Sequence, residues 1–264
     1  MQHREDFLWL FLKNMGLSVH SLKFKSMEHF KEVDLFDCLD AQNFEKKHGA
    51  RFMRDDVVCH FDFSKKYTEG WDWTWQVPRA DFDKALADEI IRKGVDVAFE
   101  WEVTDVKFNG TDSQTTVKDK NGVEKNINAK FVIDSSGYGR VLPRLLDLEK
   151  PSALPKHSSI FTHVKDSNRP EGTEGTLITF DIVKAQVWLW VIPFSNGNTS
   201  IGFVGPTEFI ESYQGNSSEV LREMLKLSPY YFDRFKDVDY LFDPISIKNY
   251  SKSVKQLYGD GYVL

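Results

Sequence analysis

Apolar positions along this chain fall into two rhythms. Between Arg79 and Lys93, just after Pro78, the residues Ala80, Phe82, Ala85, Leu86, Ile90 and Ile91 recur at helical spacing and predict a helix with one apolar stripe. Ser26 to Leu39 reads as another helix, with Ser26 as N-cap and Val33, Leu35, Phe36 and Leu39 on its buried side. Val57–Phe63 and Trp71–Val77 alternate as strands do. A meander comes next, with strands at Val95–Glu100, Val103–Phe108, Gln114–Lys118 and Lys125–Asn128 and tight turns at Asn109-Gly110 and Asn121-Gly122. Phe131-Val132-Ile133-Asp134 has the unbroken apolar character of a strand buried in a parallel sheet, and it leads into Ser135-Ser136-Gly137-Tyr138-Gly139.

A second β-rich stretch predicts antiparallel strands at Ser159–Val164, Leu177–Val183, Val187–Ile192 and Thr199–Val204. Helices follow at Ser218–Leu227 and Pro229–Phe235, and a last strand at Ser246–Lys255. Tyr258 to Leu264 reads as a turn entering an apolar strand. The class expected is mixed α+β, without internal repeats.

Composition narrows the function. With 41% hydrophobic and 28% charged residues, the 264-residue chain is globular in character and long enough to bury a real core. The net charge of -6 offers no basic field for nucleic acid. Two cysteines, Cys38 and Cys59, make no disulfide framework and suit a reducing cytoplasm; neither belongs to a C-x-x-C pair, so no metal site is expected. The apolar run Phe7–Leu12 is far shorter than the roughly 20 residues of a membrane span, and Glu5 and Asp6 before it argue against a signal peptide. The 21 Phe, 9 Tyr and 7 Trp are enough to furnish both a core and a pocket for a flat ligand.

Four constellations could carry chemistry. Phe131 to Arg140 is a strand exit of the sort where α/β folds bind ligands, although Gly137-Tyr138-Gly139-Arg140-Val141-Leu142 lacks the third glycine of a dinucleotide loop and Pro143 interrupts the segment after it. Trp71, Trp73 and Trp75 share one face of a strand that ends at Gln76 and Arg79, beside a helix start suited to phosphate. A packed aromatic face with a capped helix explains the same residues. Trp188-Leu189-Trp190-Val191-Ile192-Pro193 places two indoles on one strand face, and core packing is the simpler physical reading. Lys46-Lys47-His48 would ordinarily be a solvated turn.

Taken in order, these segments resemble the flavin-dependent halogenases and their FAD monooxygenase relatives from about Ser26 to the C-terminus. The W-x-W-x-I-P hallmark is matched by Trp188, Trp190, Ile192 and Pro193. Phe44, Lys47, Gly49, Ala50 and Phe52 match a Phe-x-x-Lys-x-Gly-Ala-x-Phe segment. Gln76, Val77, Arg79, Phe82 and Asp83 match a strand-to-helix junction, and Ile133, Asp134, Ser136 and Gly137 match an Ile-Asp-x-Ser-Gly exit.

The resemblance implies a partial α/β FAD-binding fold joined to a mostly antiparallel β-sheet substrate domain. The implied division is an atypical segment 1–25, a partial FAD-binding region 26–150 and a substrate region 151–264. The implied reaction uses reduced FAD, O2 and halide to halogenate an electron-rich aromatic, free or carrier-bound, with a flavin reductase supplying the reduced cofactor. Lys47 would be the catalytic lysine that holds the hypohalous acid or forms a haloamine. Trp188, Trp190, Ile192 and Pro193 would line the route to substrate, and Gln76, Arg79, Asp134, Ser136 and Gly137 would meet FAD. The family's G-x-G-x-x-G and Gly-Glu-Ser-x-x-Pro segments, and its later Gly-Asp-like loop, have no counterpart here. The expectation is therefore an incomplete piece with impaired FAD binding. A monooxygenase or dehydrogenase without halide chemistry, and a non-catalytic remnant, are the alternatives.

Overall fold

A computed structural model describes His20, Ser21, Phe24–Asp55, Val57–Tyr67 and Glu69–Leu264. The expectation of an atypical segment 1–25 falls mainly outside these residues, as does the apolar run Phe7–Leu12. The chain forms two compact units, each assembled from separated stretches of sequence. The fold is α+β, and its sheets are mostly antiparallel, as expected.

The larger unit comprises the described residues within 20–86 and 155–250. Its main sheet has seven strands in the spatial order Ile245–Lys248, His157–Lys165, Asn198–Pro206, Val187–Pro193, Ile178–Lys184, Gly49–Arg54, Val57–Asp62. Only the contact between Ile178–Lys184 and Gly49–Arg54 is parallel. One face of this sheet builds the core. Val187, Leu189, Val191, Ile201 and Phe203 pack there against Leu221, Met224 and Leu225 of the helix Ser217–Leu225 and Tyr231 and Phe235 of the helix Pro229–Phe235. Helix Ser217–Leu225 starts at a capping box, in which the Asn216 side chain accepts from Glu219 N–H and the Glu219 carboxylate accepts from Asn216 N–H.

A three-stranded antiparallel ribbon, ordered His20–Ser21, Thr74–Val77, Glu45–Lys47, belongs to the same unit. Around it Met27, Leu39, Phe44, Trp75, Val77 and Phe82 form a second core cluster. The expected strand Trp71–Val77 is shorter, Thr74–Val77. Even so, the three indoles lie together, with ring centroids 5.0 Å apart for Trp71–Trp73 and 5.5 Å for Trp73–Trp75, both edge-on. The helix expected over Ser26–Leu39 is broken. Helix Phe24–Glu32 already includes Ser26, so Ser26 is not its N-cap, and Asp34 takes a left-handed φ of 53° before the short helix Phe36–Asp40. Val33, expected on the buried side, is 55% exposed as a result. Helix Arg79–Arg92 matches its pattern, although Ala80 and Ile91 face solvent.

The other unit includes Ala87–Leu154 and Ser251–Leu264. Its meander runs Trp101–Asn109, Asp112–Asp119, Glu124–Ala129, turning at Gly110-Thr111 and through Lys120–Val123. Val95–Glu100 is not the strand the pattern suggested, because Gly94 (φ 87°) and Glu100 (φ 62°) are both left-handed and bend the chain at either end. Val132–Ile133 pairs in parallel with Tyr262–Val263, as a parallel-sheet strand should. It is not fully buried, since Phe131 is 50% and Ile133 46% exposed. Tyr262–Val263 is its one strand partner among the described residues, so no described strand pairs with its other edge. The expected strand Ser246–Lys255 splits into Ile245–Lys248 and Ser253–Val254, because Asn249 adopts a φ of 48° between them.

Candidate functional site

In the larger unit, alternation along Val187–Pro193 sends Val187, Leu189 and Val191 into the core and turns Trp188, Trp190 and Ile192 to the opposite face. The residues that core packing explains are therefore the valines and the leucine. Both tryptophans are only half-buried. The Trp190 indole N–H donates to Ser200 Oγ at 3.1 Å, and its ring lies 5.9 Å from that of Phe161. Trp188 lies 6.3 Å from the His157 ring.

The room Trp190 occupies is left by Gly202, directly across the ladder from it. A Cβ on Gly202 would fall 2.5 Å from the Trp190 ring and 2.4 Å from Phe161 Cβ. Gly202 and Ser200 belong to none of the motifs in the sequence. A glycine inside an otherwise regular strand was the available signal of such close packing.

Lys47 ends the ribbon strand Glu45–Lys47, and the chain passes through His48 straight into Gly49–Arg54 of the main sheet. Its side chain is 9% exposed, and its ammonium sits 5.2 Å from the Phe63 ring centre. Phe63 packs with Ala50, Ile178, Ile192 and Phe194, and Phe180 and Trp190 flank the group. The fold thus brings Lys47 and the face of the tryptophan strand to one aromatic cluster. Burial pushes the Lys47 amine down from its ordinary 10.5 to about 8, so a neutral, nucleophilic amine is accessible near neutral pH.

The far end of the tryptophan strand is fixed from two sides. Gln76, fully buried, donates through Nε2 to the carbonyls of Pro193 (2.9 Å) and Thr176 (3.0 Å). Arg169 donates to the carbonyls of Phe194 (2.8 Å) and Asn198 (2.6 Å), closing the turn beyond Pro193. Asp166 accepts from both Thr199 Oγ1 and Arg234 beneath that turn. Arg79 is half-buried, and its guanidinium is held by Asp83 at 2.6 and 3.1 Å.

In the other unit, the Asp134 carboxylate accepts from Ser136 N–H (2.7 Å) and Leu142 N–H (2.8 Å), while Ser136 Oγ accepts from Val141 N–H (2.9 Å). Gly137 takes a φ of 56° in the loop between them. This exit forms its own cap on the short helix Val141–Leu145. A cleft of about 80 Å³ lies beside it, lined by Phe131, Ile133, Asp134 and Ser136 among others, enough for a few waters. A dinucleotide pyrophosphate needs several unengaged N–H donors. Val141 and Leu142 already donate to side chains of their own loop, and Arg79 to Asp83. These residues do not by themselves form a pyrophosphate site.

Lys47 lies over Phe63, and Trp190, half-buried, flanks the same cluster, while Trp188 sits beside His157. Residues 16–234 match the tryptophan halogenase family, and the chain belongs to it. It is similar to a 1H-pyrrole-2-carbonyl-[peptidyl-carrier protein] brominase of Pseudoalteromonas luteoviolacea (strain 2ta16), 24% identical over 88% of this chain and 57% of that protein. Among solved structures, a flavoprotein/dehydrogenase from Cytophaga hutchinsonii is 49% identical with a TM-score of 0.90, matched over 93% of this chain and 60% of its own. The flavin-dependent halogenase CmlS shares the fold at 23% identity and a TM-score of 0.80, over 92% of this chain and 44% of its own. The chain thus spans little more than half the length of the curated brominase. Among the described residues, no helix is long and apolar enough to cross a membrane.

Proposed function

We propose that this chain carries the substrate-side machinery of a cytoplasmic, FAD-dependent oxidoreductase of the halogenase type. The overall reaction would consume reduced FAD from a flavin reductase, O2 and chloride or bromide, and would halogenate an electron-rich aromatic ring. The observation that carries this reading is Lys47, buried over Phe63 in the same cluster as Ile192 and Trp190. An amine with a pKa of about 8 can hold a hypohalous acid by hydrogen bond or take the halogen onto nitrogen. Trp188 and Trp190 would wall the route and orient the ring by stacking. The brominase relative points to a pyrrole-like ring, free or carrier-bound, as the substrate class to try first.

Asp134, Ser136, Gly137 and Arg79 remain candidates for contact with FAD, the first three at a strand exit of the kind that α/β folds use for ligands. Their hydrogen bonds to their own loop or helix leave the phosphate donors to residues other than these. A second reading, an FAD enzyme without halide chemistry, is favoured by the 49% identical flavoprotein/dehydrogenase.

The test is incubation of the protein with FAD, NADH, a flavin reductase, O2, bromide and a panel of pyrroles, indoles and phenols, with product masses as readout. Brominated product that disappears in Lys47→Met supports the first reading. Oxidised or hydroxylated product without a halide requirement supports the second. Absence of both product and flavin absorbance on the purified protein would identify a non-catalytic remnant.

A further inference from the structure

Glu45 pairs with Gln76 and Lys47 with Thr74, so strand alternation puts the side chains of Lys47 and Gln76 on one face of the small ribbon. From that face the Gln76 amide reaches across 117 residues of sequence to Pro193 and also bonds Thr176, just before the strand Ile178–Lys184. Both amide hydrogens are thus used on backbone carbonyls of the main-sheet region, at zero exposure. Pro193 lies between Ile192 and Phe194, two of the residues packed with Phe63 beneath the Lys47 ammonium. On this side the Lys47 strand is also tied to the main sheet through the chain itself at His48, where Phe63 N–H bonds the His48 carbonyl at 3.0 Å.

We propose that Gln76 is a positioning residue that clamps the Lys47 ribbon to the end of the tryptophan strand and so keeps the lysine amine in a closed, water-poor site. A carbonyl clamp needs two donors on one nitrogen at this reach. A carboxamide supplies them, and neither glutamate nor methionine does. Loss of the clamp lets the Phe63, Ile192 and Phe194 packing open beside the lysine and admits water to it. Charged neighbours of this face are Glu45, whose carboxyl is pushed up by partial burial and pulled down by Arg169 and His48, and Arg169 itself. The role matters for catalysis only if the halogenase-type reading of Lys47 holds, but its test does not depend on turnover.

Two measurements on the folded protein decide it. In the unsubstituted protein, the Gln76 side-chain NH2 protons should exchange with solvent on the order of 100-fold more slowly than a free carboxamide. Exchange at the free rate overturns the clamp. In Gln76→Met, followed by NMR of isotopically labelled lysine well below the melting transition, the Lys47 titration midpoint should rise from about 8 toward 10.5 by about one pH unit or more. A folded Gln76→Met with an unmoved Lys47 midpoint overturns the positioning role. If Gln76→Met does not fold, the amide exchange of the unsubstituted protein decides alone. Neither readout uses FAD or halide, so failure here is distinguishable from failure of the halogenase-type reading.

Discussion

Replacing Lys47 with Met tests the electrostatics of the site through stability alone. The lysine is 9% exposed, and its pKa falls from 10.5 to about 8 through burial. That change corresponds to roughly 3 kcal/mol against keeping the ammonium inside the fold at pH 7. The Phe63 ring, 5.2 Å from the nitrogen, favours the ammonium, and its contribution is already contained in that net balance. Methionine keeps a similar length and volume without the charge. Lys47→Met should therefore be about 2–3 kcal/mol more stable than the parent at pH 7.

The gap should close with rising pH. Between about 8 and 10.5 the unfolded chain still binds the lysine proton while the folded protein has released it. The parent then gains stability at up to about 1.4 kcal/mol per pH unit, and the variant does not. Urea unfolding of both proteins, followed by tryptophan fluorescence from pH 7 to 10.5, measures the difference. Parallel stability curves, or a less stable variant at pH 7, would refute the buried-amine account and with it the reason for assigning Lys47 its nucleophilic role.

Two further outcomes are expected. Gly202→Ala should drive the Trp190 ring off its seat, because the new Cβ would lie 2.4–2.5 Å from Phe161 and Trp190; a cost of about 1–3 kcal/mol and a Tm lower by roughly 2–10 °C follow, with a shifted indole N–H resonance as the Ser200 bond is lost, and an unchanged Tm would contradict the packing described. Asp134→Ala removes the acceptor for the Ser136 and Leu142 N–H groups and should cost about 1–2 kcal/mol, with faster hydrogen exchange at Leu142; unaltered exchange there would show that the cap contributes nothing.

Much of the local structure was legible in the sequence. Helix Arg79–Arg92 and the antiparallel strands from His157 to Pro206 follow the apolar rhythm, because spacing alone decides which faces can be buried. A hairpin beside Asn109 follows from glycine's freedom at positive φ, although its two-residue turn is Gly110-Thr111, one residue later than the Asn-Gly pair suggested. The order of the motif residues Lys47, Gln76, Arg79, Asp134 and Trp188 to Pro193 was enough to suggest the family that the chain belongs to. Elements broken by left-handed Asp34, Glu100 and Asn249 were misread, since nothing in the apolar spacing marks a non-glycine residue for that conformation.

Tertiary structure alone decided what the site residues touch. Periodicity showed that Trp188 and Trp190 share a face, but only the helices packed on the opposite side made Val187, Leu189 and Val191 the core and left the indoles half-open. Gln76 read as a residue at a helix start suited to phosphate; folding buried it completely and set its amide on Pro193 and Thr176. Lys47, in a sequence that reads as a solvated turn, lies under cover of Phe63 and its neighbours. The physical reason is common to all three. Secondary structure follows from short-range sterics and spacing, which the chain carries locally, whereas hydrogen-bond partners and the polarity around a charge depend on which distant segments pack against it, and that is settled only when the whole core closes.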